Sequence, residues 1–462
     1  MLRTISYKIY EMRRYLVLSL VISIVAIPIG NSLVIQRDRN RDEMYGEAFW
    51  IYHFEVYNMT DEELAAALPP EWGYNDGEHT LPSYLGNITY EYPVFALIFF
   101  SIATWLFPGV NDLQPLWLNF LLVLVFNLNL VMIAVLLGNR LYTARWARLF
   151  FGGYFVYGLI LSAGGGKLEP LADCLMLMAM ILRSEGQRGK AMFTLGLAVQ
   201  TKIYPGVLLP LMFLEAPSSV LWFGASMLLT VIPFLSQGLS YDSLLNHFLN
   251  TPSYSEQIVN PLYPGFGWAT PVLGTTETYF WPAGLIPLTV YIAFMVYTLR
   301  PFIPSLHDLS QVSLAEPYTG SSILRPFRLL FKRLLVMKPL YVYMLPAILI
   351  VYRWVMPWYL FWLGLMILVL DRDEDCIAYL KLITVVGFLY AFGLICNWPY
   401  FITGPAQDFY RHFILGWYTL VGVGVMVAIA SVLFVVWKFE IERRERMADM
   451  IREAEARGEL II

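Results

Sequence analysis

The sequence predicts an all-α integral membrane protein, a multi-spanning bundle of about twelve transmembrane helices. The first observation is composition: of 462 residues, 58% are hydrophobic and only 14% are charged, whereas soluble domains carry about 25% charged residues. The second is length, because the apolar residues form blocks of about twenty, enough to cross a bilayer as a helix. These blocks lack the alternation of β-strands, and a membrane segment must satisfy its own backbone hydrogen bonds, so helices are favoured over a barrel.

Charge and cysteine content exclude several other classes. A net charge of −4 is too balanced to indicate a nucleic-acid partner. The three cysteines, Cys174, Cys376 and Cys396, are scattered and odd in number, so neither a disulfide framework nor a CxxC metal site is predicted. The first apolar run, about 15–35, is long enough to span a membrane, and no small-residue cleavage site follows it. We therefore predict a retained anchor rather than a cleaved signal.

Positive charge orients the predicted helices. The amino terminus is basic, and basic residues stay on the cytoplasmic side, so the first helix runs outward and the polar segment 36–92 lies outside. A full span at 91–108 would also put the arginine-rich turn 139–148 outside. We therefore predict that 91–108 is a juxtamembrane helix lying along the outer surface. Both termini are then predicted to be cytoplasmic.

The remaining organisation follows by alternation across the membrane. One membrane domain is predicted over 1–437, with two further polar outer loops at 237–280 and 397–412, and a charged cytoplasmic helix over 438–462. The predicted helices after the first lie at about 115–137, 148–162, 170–182, 191–201, 204–214, 218–236, 282–299, 339–352, 357–370, 381–396 and 413–437.

Two short polar blocks flank a predicted helical hairpin, one at 164–173 before its first helix and one at 201–205 after its second. The two helices are joined by the basic turn 183–190. The hairpin brings four charged side chains to one end of the bundle: Lys167, Glu169, Asp173 and Lys202. Charged residues gathered at one face of so apolar a chain indicate a functional site. The alternative is a set of ordinary interfacial charges, a snorkelling lysine and an acid favoured by the helix dipole.

The residue types at this face suit chemistry on a phosphate-linked group. Acids follow the first helix, and a carboxylate can act as a general base toward a hydroxyl. A lysine or arginine at the same depth can hold a phosphate as it leaves. The sequence contains no GxxxxGK[ST] loop, no HExxH and no Ser/His/Asp set, so neither a nucleotide nor a metal site is predicted. A divalent cation stays open as a cofactor.

The blocks Gly166–Leu177, Leu195–Pro210 and Met356–Leu360 resemble those of the multi-spanning GT-C glycosyltransferases. They are most similar to the branch that uses polyprenyl-phosphate mannose, and Tyr92-Pro93 after the first outer segment fits as well. Met356 stands where a histidine is frequent in that branch. The resemblance implies a GT-C-like helical bundle and an inverting transfer of a sugar, mannose as the first expectation. The donor would be a dolichyl- or polyprenyl-phosphate sugar, and the acceptor a lipid-linked or other glycan.

The same resemblance implies roles for particular residues. The family's catalytic acid follows the first helix, where Asp42 matches best and Glu43 next. The charge-rich register leaves Asp38 and Glu47 open, and the competing interpretation of Asp42 is a solvated charge paired to a neighbouring arginine. The lysine that contacts the donor phosphate corresponds to Lys202.

The acid that opens the next helix corresponds to one of two residues, Glu169 or Asp173. Further substrate-binding candidates are Lys167, Arg353, Arg411 and His412. The outer aromatic residues are expected to be membrane-interface anchors.

Two other classes compete with a transferase. A transporter or flippase of a lipid-linked saccharide would carry charges in the middle of its spans and inverted repeats, neither of which is apparent in the sequence. A scaffold protein would not need the charged constellation. The partners expected for the transferase are the lipid-phosphate donor, a glycolipid or glycan acceptor and membrane lipids, with no nucleotide and no nucleic acid.

Overall fold

Helices account for nearly all the regular structure. The computed structural model describes residues 2–33, 37–74, 89–90, 92–237, 280–299, 330–331, 334–351, 355, 357–396 and 449–450. Within these ranges the chain is all-α, and an isolated antiparallel bridge joins Thr60 to Thr89. Several predicted segments lie almost entirely outside the described residues: the outer loops at 237–280 and 397–412, the helix over 413–437 and the charged tail.

The described α-helices are α1 (Leu2–Leu33), α2 (Arg37–Tyr52), α3 (Asp61–Ala67), α4 (Val94–Thr104), α5 (Leu113–Leu137), α6 (Arg140–Thr143), α7 (Arg145–Leu159), α8 (Glu169–Ser184), α9 (Arg188–Val199), α10 (Leu209–Glu215), α11 (Val220–Gln237), α12 (Phe280–Leu299), α13 (Lys338–Met344), α14 (Pro346–Val351) and α15 (Asp373–Cys396). Short 3₁₀ segments lie at His53–Asn58, Pro70–Trp72, Tyr204–Leu208, Pro217–Ser219, Pro357–Phe361 and Gly364–Val369. A π-helical turn, Ile160–Gly164, extends α7 toward the glycine block.

Four described helical segments are long and apolar enough to cross a membrane: Ile5–Gly30, Leu113–Leu137, Arg145–Gly164 and Asp373–Gly393. Several other predicted spans are shorter. The α9 helix has 12 residues, which at 1.5 Å per residue gives about 18 Å, against a hydrocarbon core of about 30 Å. The all-α prediction is thus confirmed for the described residues, where four segments rather than about twelve meet the length of a span.

The predicted hairpin is confirmed as α8 and α9 packed side by side. Pro170 occupies the first turn of α8, where its missing N–H costs no hydrogen bond. Gly186 lies just beyond the end of α8, and its φ of 75° is the left-handed conformation that glycine adopts without strain. The next helix begins at Arg188, so the chain reverses within a few residues.

Charged pairs gather at one end of the bundle, at turns that the predicted alternation assigned to the same side. Arg183 at the end of α8 donates from Nε to Glu215 Oε2 at 2.6 Å. Lys338 pairs with Asp371 at 2.6 Å, and Arg140 donates to the Asp371 carbonyl. Asp371 also interacts electrostatically with Arg183, which places these turns together.

The first polar segment was predicted as a loop, yet its described part is mostly helical. It has its own hydrophobic core, to which Tyr45, Val56, Leu64 and Tyr90 contribute, each fully buried. Gly46 lies against α4 so closely that a Cβ there would come within 2.7 Å of the Phe100 carbonyl carbon. Charged side chains of α2, among them Arg41 and Glu47, are buried by ion pairing, hydrogen bonds and aromatic packing.

Candidate functional site

The centre of the candidate site is an ion pair between the two ends of the hairpin. Lys202 Nζ lies 2.5 Å from Glu169 Oε1. The Glu169 side chain is fully buried, and that of Lys202 is 12% exposed. Glu169 Oε2 has no hydrogen-bond partner among the described residues. A buried carboxylate oxygen left without a donor is costly.

Aromatic rings enclose the lysine. Its Nζ lies 5.2 Å from the Trp362 ring centroid and 5.6 Å from that of Tyr92, both within reach of a cation–π interaction. The Trp362 indole N–H also donates to Glu169 Oε1 at 3.3 Å. Tyr204 stacks on Trp362 with ring centroids 5.0 Å apart. The lysine head group is therefore held at a defined place by charge on one side and by rings on two others.

The Asp173 carboxylate is occupied by phenols. Its Oδ2 accepts a hydrogen bond from Tyr154 OH at 2.9 Å, and its Oδ1 accepts one from Tyr204 OH. Asn129 on α5 donates to the Tyr154 oxygen at 3.0 Å and to the Pro170 carbonyl at 2.7 Å. Of the two predicted acids at the start of α8, Asp173 positions the Tyr204 ring, and Glu169 is the one that contacts Lys202.

The start of α2 lies against the glycine block. Gly166 has φ of 56°, and a Cβ there would come within 2.8 Å of both Arg39 Cδ and Asn119 Oδ1. Arg39 Nε in turn lies 3.3 Å from Glu43 Oε1. Burial raises the pKa of Glu43 to about 7, and the neighbouring Arg39 charge opposes that rise. Only glycine permits both the backbone conformation and the close approach of Arg39.

Asp42 faces the tyrosines of the first polar segment. The Tyr90 hydroxyl donates to Asp42 Oδ1 at 3.3 Å, and the Tyr90 ring lies 5.7 Å from that of Tyr92. Tyr92 is also the ring beside Lys202. The solvated-charge interpretation of Asp42 is wrong, because the residue is 6% exposed. Two tyrosines thus connect the predicted catalytic acid to the predicted phosphate-binding lysine.

The other acids of α2 have different surroundings. Glu47 accepts hydrogen bonds from the Gly109 backbone N–H at 2.9 Å and from the Gln114 side chain. Burial raises its pKa to about 7. Asp61, outside the predicted set, pairs with Arg41 at 2.8 Å. Glu47 therefore ties α2 to the start of α5, and the Asp38 side chain lies outside the described residues.

The remaining predicted site residues are placed in part. Lys167 is half-buried beside Gly165, whose Cβ would lie 3.1 Å from Lys167 Cγ. Arg353, Arg411 and His412 lie outside the described residues. Across the described ranges no group of three or more His, Cys, Asp or Glu side chains could hold a metal ion.

Several residues of the site were not singled out from sequence. Trp362 stands three residues after Tyr359, in the turn just beyond the 3₁₀ segment Pro357–Phe361. The two rings stack with centroids 3.5 Å apart, so the nearest signal in the sequence was the adjacent block Met356–Leu360. Tyr204 lies two residues after Lys202. Tyr90 lies in the outer segment, whose aromatic residues are expected to be interface anchors, but it is fully buried.

The site combines a lysine, a buried carboxylate, stacked rings and the acids of α2. A lysine can bind phosphate as a point charge, a carboxylate can take a proton from a hydroxyl, and an aromatic face can pack on the C–H face of a sugar.

No protein-family model, curated protein or solved structure matches this chain.

Proposed function

We propose that the chain is a GT-C-type membrane glycosyltransferase. It transfers a sugar, mannose in the first instance, from a polyprenyl- or dolichyl-phosphate donor to a lipid-linked or other glycan acceptor at the outer membrane face. One observation carries the proposal: side chains from the three blocks behind the resemblance lie at one place, although the third block is far along the chain from the other two. Glu169 comes from the first, Lys202 and Tyr204 from the second, and Tyr359 of the third stacks on Trp362.

Lys202 is the proposed contact for the donor phosphate. Its charge is neutralised by Glu169 and its position is set by two rings. A lipid phosphate brought to Nζ would add a charge-assisted hydrogen bond, worth roughly 1.5–3 kcal/mol. Glu169 then has two tasks, orienting the lysine through Oε1 and offering Oε2 to a sugar hydroxyl.

Asp42 is the proposed general base. A sugar hydroxyl is a poor nucleophile at neutral pH, so a positioned carboxylate takes its proton as the bond between sugar and phosphate breaks. The lipid phosphate leaves as an anion beside Lys202, and no general acid is required. One carboxylate on the acceptor side suffices, which favours inversion over a covalent intermediate. Glu43 is the second choice, because it already pairs with Arg39.

The test is sugar transfer by the purified full chain in detergent or nanodiscs. Radiolabelled polyprenyl-phosphate mannose and glucose are each supplied with a lipid-linked acceptor, and GDP-mannose and UDP-glucose serve as controls. Transfer from a lipid-phosphate sugar but from neither nucleotide sugar is the expected result. Transport of the donor across sealed vesicles without transfer would favour the flippase class, and the absence of both activities would contradict the proposal.

A further inference from the structure

We propose that a groove on the side of the bundle binds one anionic phospholipid. The groove is a cavity of about 450 Å³ between the start of α7, α12 and α15. Its walls include Leu149, Phe294 and Leu380, and two cations, Arg145 and Lys381, lie among these apolar side chains. The proposal goes beyond sugar transfer and shares with it only the placement of the helices in a membrane.

The two cations have no counter-charge within the described part of the chain. Arg145 and Lys381 are both exposed, and neither has an ion-pair partner among the residues that the structure describes. Arg140, a few residues earlier, differs, because it lies 3.4 Å from Asp373. Arg145 is also the first residue of α7, whose N-cap Ala144 has no side-chain acceptor for the free backbone N–H groups. The positive end of the helix dipole and two unpaired cations therefore favour an anion at this edge of the groove.

The position of Lys381 makes a lipid the fitting anion. Lys381 lies within the candidate span Asp373–Gly393, eight residues beyond its start, which corresponds to about 12 Å along the helix. An ionisable side chain at such depth is costly unless it reaches the interface or meets a partner. A phosphodiester at the membrane surface provides that partner, and its acyl chains fit the apolar walls below.

The Trp146 ring forms part of the apolar wall of the same groove. The Trp146 side chain is 5% exposed and contributes to the wall. Its indole N–H is buried and has no hydrogen-bond partner in the described part of the chain. Because that nitrogen has almost no accessible surface, the indole contributes carbon atoms to the wall of the groove. A phospholipid thus matches the two cations through its phosphate and the apolar wall through its acyl chains.

The experiment is native mass spectrometry of the full-length protein in detergent, titrated with phosphatidylglycerol or phosphatidylcholine of identical acyl chains. Phosphatidylglycerol is expected to bind more tightly. Each surface cation near an anionic lipid is worth about fivefold in affinity, so Arg145→Gln with Lys381→Gln should weaken phosphatidylglycerol binding about 25-fold. The matched control is Arg188→Gln with Lys190→Gln, which also removes one exposed arginine and one exposed lysine and should leave binding unchanged.

Two further variants keep the proposal falsifiable if the double variant folds poorly. Lys381→Arg preserves the charge and should retain the preference for phosphatidylglycerol. Trp146→Phe removes the five-membered ring of the indole from the apolar wall and should weaken the binding of both lipids alike. Equal affinity for both lipids, or an unchanged preference in the folded double variant, would overturn the proposal. Displacement of the lipid by millimolar inorganic phosphate would also overturn it, because the site would then recognise a free anion.

Discussion

Replacing Lys202 by Met separates the structural role of the ion pair from its proposed role in donor binding. The Glu169 side chain is fully buried, and among the described residues its Oε1 would keep only the Trp362 N–H as a donor. Removing one partner of a buried ion pair typically costs about 3–5 kcal/mol. Methionine retains most of the apolar stem, so the loss comes from the charge. We expect Lys202→Met to be clearly less stable to heat in detergent.

The second variant, Glu169→Gln in the Lys202→Met background, removes the buried charge that the first leaves unpaired. Stability should then recover most of the loss, because two neutral groups of similar size replace the pair. Donor binding should not recover, since the phosphate contact is still missing. The expected deficit in kcat/KM for the lipid-phosphate sugar is about 10- to 150-fold, the equivalent of roughly 1.5–3 kcal/mol.

The assay measures thermal unfolding and initial transfer rates on the same four proteins: wild type, the two single variants and the double. A double variant with both stability and transfer restored would refute the reasoning, because the lysine would then serve only to neutralise Glu169. The double-mutant cycle also yields the coupling energy between the two side chains.

Three other changes have defined outcomes. Asp42→Asn should lower turnover by about 10²–10⁴-fold while donor binding persists; full activity in it and in Glu43→Gln would remove the first polar segment from the mechanism. Gly166→Ala should destabilise the protein by about 1–3 kcal/mol. Gly186→Ala should cost less, because Gly186 also has a positive φ but a Cβ there would meet no described atom within 4 Å. Burial raises the pKa of Glu47 from 4.5 to about 7, so the folded state binds protons more tightly than the unfolded state and stability falls as pH rises through this window. The free energy of unfolding of Glu47→Gln, relative to that of wild type, should therefore rise by on the order of 2–3 kcal/mol between pH 5 and pH 8. Chemical unfolding measures it, and a difference independent of pH would show that Glu47 has an ordinary pKa.

Periodicity and charge were enough to predict the hairpin. The apolar runs of α8 and α9, the basic turn between them and Gly186 at the reversal define it without any long-range contact. The same local reasoning placed Glu169 and Lys202 at one end, and they form an ion pair. Short-range patterns predict such features well, because helix ends and turns depend on neighbouring residues.

The first polar segment shows where that reasoning stops. A run of alternating arginine and acid looks the same in sequence whether it forms a charged loop or a charged buried helix, because the difference depends on partners far along the chain. Arg41 forms an ion pair with Asp61, and Glu47 accepts hydrogen bonds from the Gly109 backbone and from Gln114. No periodic signal in residues 37–52 marks these contacts in advance.

Sequence alone determined that the chain is apolar, helical and charged at a few helix ends, because composition, block length and turn residues act locally. Only the tertiary structure decided which of those charges share a site. It placed the Tyr204 ring on Trp362, the Trp362 indole against Glu169 and α2 against Gly166. Each of these contacts joins segments separated by many residues, and such pairings depend on the packing of the whole bundle, which no single stretch of sequence encodes.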